Sequence, residues 1–398
     1  MPNGKIPASR RAQLQKQYRD EMFGNIVPWW ESHIVDKNIP GLHACLDREG
    51  NTYATDRFTW STGRMVWMFS HLHQYEQANP NWLALAKRGA DFLQTHAFRD
   101  EGKMHFRLTP DGKPVASCLS LYSECFTAIG FAELSRATED SALWEQSVKM
   151  VEAIMPRLGN PDNTPLLGYP LNCKFHLHAH DMIRLTVAWV MNDIKPEKRW
   201  QAWIDESVSS AVARHWHPEH AAFLEHVDMD GKTMLDLPEG RLVMPGHAIE
   251  TAWMLLEVAQ KQNDANLRDT AIEIILSSLE LGWDKECGGL RYLLNIDGSP
   301  THPLEADLKL WWPHGEALYA LLLAADLTGR ADLLEWYERV HEYSFNAFPD
   351  REFGEWFGYL NRDGSPVFTA KANGWKGFFH LPRVLFRCVQ QLDGKNNE

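Results

Sequence analysis

A short hairpin-like segment recurs along the chain and constrains its fold more than any other feature. Each copy has an aromatic or aliphatic centre and ends in an acidic residue followed by glycine, which favours a tight turn. The copies are GLHACLDREG (41–50), GKMHFRLTPDG (102–112), AFLEHVDMDG (222–231), GGLRYLLNIDG (288–298) and GEWFGYLNRDG (354–364). Their terminal glycines are 62, 119, 67 and 66 residues apart, so the long interval predicts a degenerate sixth unit near residues 167–175.

Helical patterns fill the intervals between these segments in pairs. Residues 317–327 are apolar nearly all round, as a buried helix must be, whereas residues 331–347 have a single apolar stripe. Six inner and six outer helices predict an all-α fold, an (α/α)6 barrel with short β-hairpins at one end. No linker interrupts residues 1–398, which predicts a single domain. The predicted helices span about 7–30, 59–78, 82–97, 119–136, 141–157, 177–193, 196–214, 246–263, 266–282, 311–327, 331–347 and 375–391.

The residues that open the inner helices are unusually polar and aromatic. In such a barrel these ends converge, so we expect them to line one cavity. They are Trp60, Ser61 and Arg64; Tyr122, Ser123 and Glu124; His176, His178, His180 and Asp181; His247 and Glu250; Trp311, Trp312, His314 and Glu316; and Trp375, Lys376 and His380.

Charge and composition exclude several classes of function. A net charge of −13 and a pI near 5.8 argue against binding to nucleic acid or to an anionic membrane. No apolar run has the length of a transmembrane helix, and the N-terminus lacks the apolar core of a secretory signal. Six cysteines without a CxxC pair indicate reduced thiols in a cytoplasmic protein. The 17 tryptophans suit either a large core or stacking on sugar rings.

The segment MPGHAIE (244–250) contains the first candidate for a catalytic base. Pro245 and Gly246 end the preceding segment, so His247 opens a helix and shares a face with Glu250. A histidine at a helix N-terminus tends to stay neutral, and a carboxylate partner would make it a general base. The alternative is a helix-capping histidine. His380, in KGFFHLPR, opens the last inner helix in the same way, with a helix-end histidine near Arg383 as its alternative.

Other motifs leave alternatives open. The alternating histidines at positions 176, 178 and 180, followed by Asp181, suit either a metal or a polar pocket, and the lack of a partner motif favours the pocket. Arg64 on an apolar helix needs a partner, either an ion pair or a substrate anion. Glu316, on an equally apolar helix, predicts a pocket histidine as its partner. No serine-hydrolase, P-loop, HExxH or dinucleotide motif is present.

Several long motifs resemble the N-acylglucosamine 2-epimerase family, whose animal members are also called renin-binding proteins. They are ACLDREG, WxxGRxVW (60–67), SECF (123–126), PGHAIE, KLWWPHGEAL (309–318), EFGEWFGYLNRDG (352–364) and KGFFHLPR. The resemblance implies an (α/α)6 barrel that interconverts aldoses differing at C2, notably N-acetylglucosamine and N-acetylmannosamine. The resemblance implies that the ligand is a small sugar and that the reaction needs no cofactor or metal. Activation by ATP and a homodimer remain open.

Carried over by motif, the resemblance makes His247 and His380 the catalytic pair. Two bases on opposite faces could remove and return the C2 proton through an enediolate, with Arg64 on the oxyanion and Glu250 and Glu316 orienting the histidines. The other candidate residues for sugar binding are Trp60, Tyr122, Glu124, His176, His180, Asp181, Arg241, Trp312, Trp375 and Lys376.

Two departures from the family pattern widen the choice of substrate. Phe378 replaces a cysteine found in many members, and the mid-chain inner helix reads FHLHAHDMIRL where N-acetyl-sugar epimerases are apolar. Plain glucose and mannose therefore remain alternatives, as does conversion of mannose to fructose. A sugar- or protein-binding module without catalysis, and a glycoside hydrolase using Glu124 and Glu316, are alternatives of other classes.

Overall fold

The computed structural model describes residues 6–99, 102–117, 121–160 and 173–394. Among these residues, helices dominate. In chain order they are α1 Ala8–Glu21, α2 Val27–His33, α3 Thr59–Tyr75, α4 Pro80–His96, α5 Tyr122–Thr138, α6 Ser141–Ile154, α7 His178–Ile194, α8 Lys198–His215, α9 Pro245–Gln262, α10 Ala265–Gly282, α11 Trp311–Thr328, α12 Ala331–Ala347 and α13 His380–Leu392. No helix in the described ranges is both long and apolar enough to cross a membrane.

All twelve predicted helices are present, with differences at the two ends of the chain. The first is interrupted by a π-helical turn, Met22–Ile26, between α1 and α2. The last begins at His380 and not at residue 375. The reason is local, because the side chain of Asn373 accepts hydrogen bonds from the backbone N–H groups of Trp375 and Lys376 at 2.8 and 2.7 Å and holds a turn there.

Short strands lie in each of the five predicted hairpin segments and in other connections between the helices. They are β1 Cys45–Leu46, β2 Thr52–Ala54, β3 Arg57–Phe58, β4 His105–Leu108, β5 Pro114–Ser117, β6 His176–Leu177, β7 Trp216–His217, β8 Ala222–Phe223, β9 His226–Val227, β10 Leu242–Val243, β11 Leu294–Asn295, β12 Lys309–Leu310, β13 Tyr359–Leu360 and β14 Pro366–Phe368. β1 pairs with β2, β4 with β5 and β13 with β14, all antiparallel.

The five terminal glycines confirm the turn signal on which the repeat was based. Gly50, Gly112, Gly231, Gly298 and Gly364 all have φ between 73° and 91°, a conformation that only glycine adopts without strain. Most of the sixth unit, predicted near residues 167–175, lies outside the described residues.

The chain divides into two compact units, and each alternates inner and outer helices. One unit comprises residues 1–29, 212–369 and 380–398. In it α9 packs against α11 and α11 against α13, while α10, α12 and α1 cover α9, α11 and α13 respectively. The inner helix α11 is buried at every position from Trp311 to Ala325, whereas α12 buries one stripe that includes Leu334, Tyr337 and Val340.

The second unit comprises residues 30–211 and 370–379. In it α3 packs against α5 and α5 against α7, with α4 and α6 outside. Gly63 and Gly130 let α3 and α5 meet backbone to backbone. A Cβ on Gly63 would lie 2.7 Å from the carbonyl carbon of Phe126, and one on Gly130 would lie 2.7 Å from the Gly63 oxygen. This close approach brings Phe126 beside Arg64.

His314, one of the polar residues predicted to line the pocket, has a structural role. It is fully buried, its Nε2 accepts the Leu290 N–H at 2.9 Å, and its Nδ1–H donates to the Leu310 carbonyl at 2.7 Å. A backbone N–H can only donate and a carbonyl can only accept, so these partners define the neutral tautomer. Burial lowers the pKa of His314 from 6.5 to about 3.

His314 should therefore make stability depend on pH. Its depressed pKa means that the unfolded chain binds a proton that the folded chain excludes as pH falls from 6.5 towards 3. The free energy of unfolding should fall through this window, by at most about 1.4 kcal/mol per pH unit from this residue. Urea unfolding between pH 4 and 8 should show a shallower dependence for His314→Gln. His302→Gln, at an exposed position, is the matched control. Equal slopes for His314→Gln and wild type would contradict the assignment.

Candidate active site

His247 contacts a carboxylate that the sequence did not single out. Pro245 and Gly246 open α9, and the imidazole Nδ1 of His247 lies 3.2 and 3.3 Å from the two carboxylate oxygens of Glu225. Glu225 lies between β8 and β9 and is 6 % exposed. Glu250, predicted as the partner of His247, instead accepts from Arg383 at 2.5 Å, because that buried guanidinium offers a full positive charge.

The histidine predicted as the partner of Glu316 is His380. The imidazole Nδ1 of His380, at the start of α13, lies 2.8 Å from Oε1 of Glu316, whose side chain has no exposed surface. The other oxygen of Glu316 accepts the indole N–H of Trp253 at 2.8 Å. The prediction that a histidine is the partner of Glu316 is confirmed by this contact.

Arg383 lies between the two glutamates of this unit. Its Nη2 contacts Oε1 of Glu250 at 2.5 Å and Oε1 of Glu316 at 2.6 Å, and all three side chains are at most 6 % exposed. Burial alone would lower the pKa of Arg383, but the charges of Glu316 and Glu250 outweigh it and raise that pKa. Ligand atoms of Glu250, Glu316 and His380 lie within 4.8 Å of one another, as a metal site would require. The guanidinium already provides the cation there, so this donor set fits a metal poorly.

Trp312 lies beside both histidines. The centroid of its ring is 5.3 Å from that of His247 and 5.4 Å from that of His380. Gly246 makes room for this indole, because a Cβ at that position would lie 2.7 Å from two of its ring carbons. The glycine of the PGH segment therefore has a packing reason that is independent of backbone strain. The two imidazoles and the indole form what we call the histidine–tryptophan cluster.

The contacts of the two histidines favour the same tautomer in each ring. An ionised carboxylate only accepts hydrogen bonds, so Nδ1 of His247 and Nδ1 of His380 must donate to Glu225 and Glu316. In a neutral ring Nε2 then carries the lone pair. Both imidazoles can therefore act as proton acceptors through Nε2.

In the other unit, Arg64 is surrounded by aromatic rings. Its guanidinium carbon lies 4.7, 4.1 and 4.8 Å from the ring centroids of Trp60, Phe126 and Phe379. Arg64 is 9 % exposed. Such stacking holds a guanidinium plane in place without neutralising its charge.

The same aromatic group extends to a strongly exposed indole. The Trp60 ring centroid lies 5.0 Å from that of Tyr122 and 5.5 Å from that of Trp375, which is 50 % exposed. The Tyr122 hydroxyl donates to the carbonyl of Ala179 at 3.0 Å. Of the predicted sugar-binding residues, Tyr122 and Trp375 are brought together around Trp60, which contacts Arg64.

The remaining predicted residues are more dispersed. Glu124 is buried and accepts the Met104 N–H at 3.2 Å, and Asp181 accepts the Ser210 hydroxyl at 2.6 Å. His176 lies in β6, immediately before α7. His180 lies in its first turn, where burial lowers the pKa of His180 to about 4 and keeps the ring neutral.

Two predicted basic residues have protein partners. The buried Lys376 donates from Nζ to the Lys371 carbonyl at 2.8 Å. Arg241 pairs with Asp297 of the 288–298 hairpin at 3.1 Å, and its side chain is 26 % exposed. Each of these two side chains is therefore held by a contact within the protein.

Sequence reasoning missed Glu225 and the bridging role of Arg383. A weak signal existed for each. Glu225 is an acidic residue in the otherwise mostly apolar hairpin segment FLEHV. Arg383 lies one turn after His380 on the same helix face. Neither signal identifies the partner, because each partner is distant in sequence.

Comparison with known proteins places the chain in a family. The sequence pattern described as N-acylglucosamine 2-epimerase (GlcNAc 2-epimerase) matches residues 41–383. The N-acylglucosamine 2-epimerase of Bos taurus is 36 % identical over 381 residues, covering 92 % of this chain and 89 % of the relative. That of Homo sapiens is 33 % identical over 395 residues, covering 96 % and 90 %.

A solved structure shows the fold. The cellobiose 2-epimerase of Bacillus thermoamylovorans B4167 superposes with a TM-score of 0.83 at 18 % identity, covering 96 % of this chain and all of that one. Such epimerases are (α/α)6 barrels, so the predicted fold class is confirmed. Together with the matches over nearly the whole length, this establishes that the chain belongs to the N-acylglucosamine 2-epimerase family.

Proposed function

We propose that this protein is a carbohydrate 2-epimerase, an isomerase, that interconverts N-acetylglucosamine and N-acetylmannosamine. Membership of the family and the relatives at 33–36 % identity support the reaction class and this substrate pair. The observation that carries the mechanism is the histidine–tryptophan cluster. In it two imidazoles contact one indole, and each imidazole forms a hydrogen bond with a carboxylate.

The reaction follows from the acidity of the hydrogen at C2. In the open-chain sugar this hydrogen lies next to the aldehyde, so its removal gives an enediolate with the negative charge on the carbonyl oxygen. One neutral histidine takes the proton at Nε2. The other histidine, already protonated at Nε2 from solvent, returns a proton to the opposite face of C2 and becomes neutral. The carboxylates of Glu225 and Glu316 stabilise each imidazolium as it forms. Two bases invert the centre without turning the substrate over.

The enediolate oxyanion requires a cationic partner. We assign this role to Arg64, whose guanidinium stays charged and is held among aromatic rings. The reaction needs neither a redox group nor a metal, because no step changes an oxidation state and Arg64 provides the positive charge.

The remaining predicted residues keep proposed supporting roles. Trp60, Tyr122, Trp312 and Trp375 offer apolar faces on which a sugar ring can stack. Polar contacts to hydroxyl groups are assigned to Glu124, His176, His180, Asp181, Arg241 and Lys376, and Glu250 acts with Glu316 in supporting His380.

We further propose a single cytoplasmic domain over residues 1–398 that forms a homodimer and has no nucleic-acid or membrane partner. ATP, as an activator, is to be tested by adding it to the assay.

Substrate choice is tested by proton NMR in deuterated water. Wild-type protein should convert N-acetylmannosamine into N-acetylglucosamine with deuterium at C2, because the returned proton comes from solvent. Glucose and mannose, tested in parallel, should react more slowly. A preference for the plain sugars would replace the proposed pair by glucose and mannose, and a ketose labelled at C1 would identify an isomerase. The absence of turnover with every sugar would support a binding module.

Each histidine should be necessary for turnover. His247→Asn and His380→Asn remove the base at Nε2 while keeping a group of similar shape and polarity. Each change should lower kcat by about 10²- to 10⁴-fold, the usual contribution of a positioned general base, with little change in melting temperature. Full activity in either variant would exclude the two-base mechanism.

Glu225 should matter through His247. Glu225→Gln removes the charge that stabilises the imidazolium and should lower kcat by roughly 10- to 100-fold, because hydrogen bonds to charged groups contribute about 1.5–3 kcal/mol. Glu219→Gln is a matched control, since Glu219 contacts Nδ1 of His217 at 3.3 Å but its side chain is 59 % exposed. Equal losses in the two variants would show that Glu225 has no specific role.

A further inference from the structure

Arg383 is the only positive charge among the described residues that touches both glutamates beside His380. Its Nη2 lies 2.5 Å from Oε1 of Glu250 and 2.6 Å from Oε1 of Glu316. The same Oε1 of Glu316 lies 2.8 Å from Nδ1 of His380. The guanidinium also lies over the ring of Trp253, with its carbon 5.3 Å from the ring centroid. Arg383, Glu250, Glu316 and Trp253 are buried, and the side chain of His380 is 11 % exposed, so solvent screens their charges little.

The two carboxylates share this cation. Both contact a single nitrogen, so their oxygens lie close together. Two buried carboxylates at such a distance cannot both ionise readily unless a positive charge lies between them.

A proton on Glu316 would change the chemistry of His380. A carboxylic acid donates a hydrogen bond, so Nδ1 of His380 would become the acceptor and the ring proton would move to Nε2. A neutral ring with its proton on Nε2 cannot take a proton from carbon at that nitrogen. The state of Glu316 therefore determines whether His380 can act as the base.

We propose that Arg383 is a positioning residue that keeps Glu316 ionised and thereby maintains His380 as the proton acceptor of one half of the reaction. This inference rests on the proposed epimerase function. Glu250 acts through Arg383, since it holds the guanidinium on the side opposite Glu316. His247 does not belong to this device, because its carboxylate is Glu225.

Other charged and titratable groups surround the device. One turn further along α13, Arg387 pairs with Glu257 of α9 and lies over the ring of Tyr319 of α11. Cys388 is also buried on α13. Arg387 also lies over the Trp253 ring, and its charge acts on Glu316. No described hydrogen bond or ion pair joins Arg387 to Glu316, Glu250 or His380, so Arg387→Met is a control that removes a nearby positive charge without removing the bridge.

The proposal separates the two halves of the reaction. Each epimer presents its C2 hydrogen to a different histidine. When His380 cannot accept, the epimer facing it should not react, whereas the epimer facing His247 can still lose its proton to that ring. The ring exchanges the proton for a solvent deuteron and returns it to the same face. That epimer should therefore gain deuterium without inversion.

The experiment follows C2 deuteration of purified N-acetylglucosamine and N-acetylmannosamine by Arg383→Met and Arg387→Met. Arg383→Met should lower exchange of one epimer by roughly 10²- to 10⁴-fold, the contribution of a general base, and leave most exchange of the other. Arg387→Met should keep the wild-type ratio between the epimers. Equal slowing of both epimers by Arg383→Met, or the same one-sided loss in Arg387→Met, would overturn the proposal.

A second pair of variants covers the case in which Arg383→Met does not fold. Glu250→Gln combined with Arg383→Met removes the competing carboxylate together with the cation, so Glu316 should stay ionised and exchange at the impaired face should recover. Arg383→Lys keeps the charge and should retain two-sided exchange with a shifted pH profile. One-sided loss in Arg383→Lys together with no recovery in the double variant would contradict the mechanism. Wild-type protein that exchanges neither sugar would instead refute the epimerase function itself.

Discussion

The buried carboxylate of Glu316 is the constraint around which its unit is organised. A buried charge is tolerated only when donors surround it, and Glu316 accepts from Trp253, His380 and Arg383. These donors come from α9 and α13, whereas Glu316 itself lies on α11. One carboxylate therefore ties three neighbouring inner helices together and orients a catalytic candidate in the same set of contacts. Stability and chemistry depend here on the same hydrogen bonds.

The packing of Trp312 adds a second constraint, on distance. Because both imidazoles contact one indole, their separation cannot exceed the sum of two ring-to-ring contacts. Gly246 allows the indole to approach the first turn of α9, directly beside His247. A larger residue at this position would push the indole away and disturb both histidines at once. The PGH and WWPHGE motifs therefore contact each other through Gly246 and Trp312.

The sequence predicted the helices and turns well because those features are local. Apolar periodicity located all twelve helices, and the acidic–glycine pairs located turns whose glycines adopt positive φ. It failed where the determinant was a single side chain, as at Asn373, which delays the start of α13. The candidate bases His247 and His380 were identified by their phase in the repeat and by family resemblance. Their partners were harder to predict.

The case of Glu250 shows why. Helical spacing places Glu250 on the same face as His247, but a face is wide enough to offer two neighbours, and the buried charge of Arg383 is the stronger one. The carboxylate for His247 comes instead from the hairpin segment that precedes its own helix, whereas His380 takes its carboxylate from the neighbouring helix α11. In one repeat the hairpin supports the base, and in another the adjacent helix does so. Similarly spaced repeats therefore provide the carboxylate partner of a histidine from different structural elements, and only the three-dimensional contacts show which element provides it.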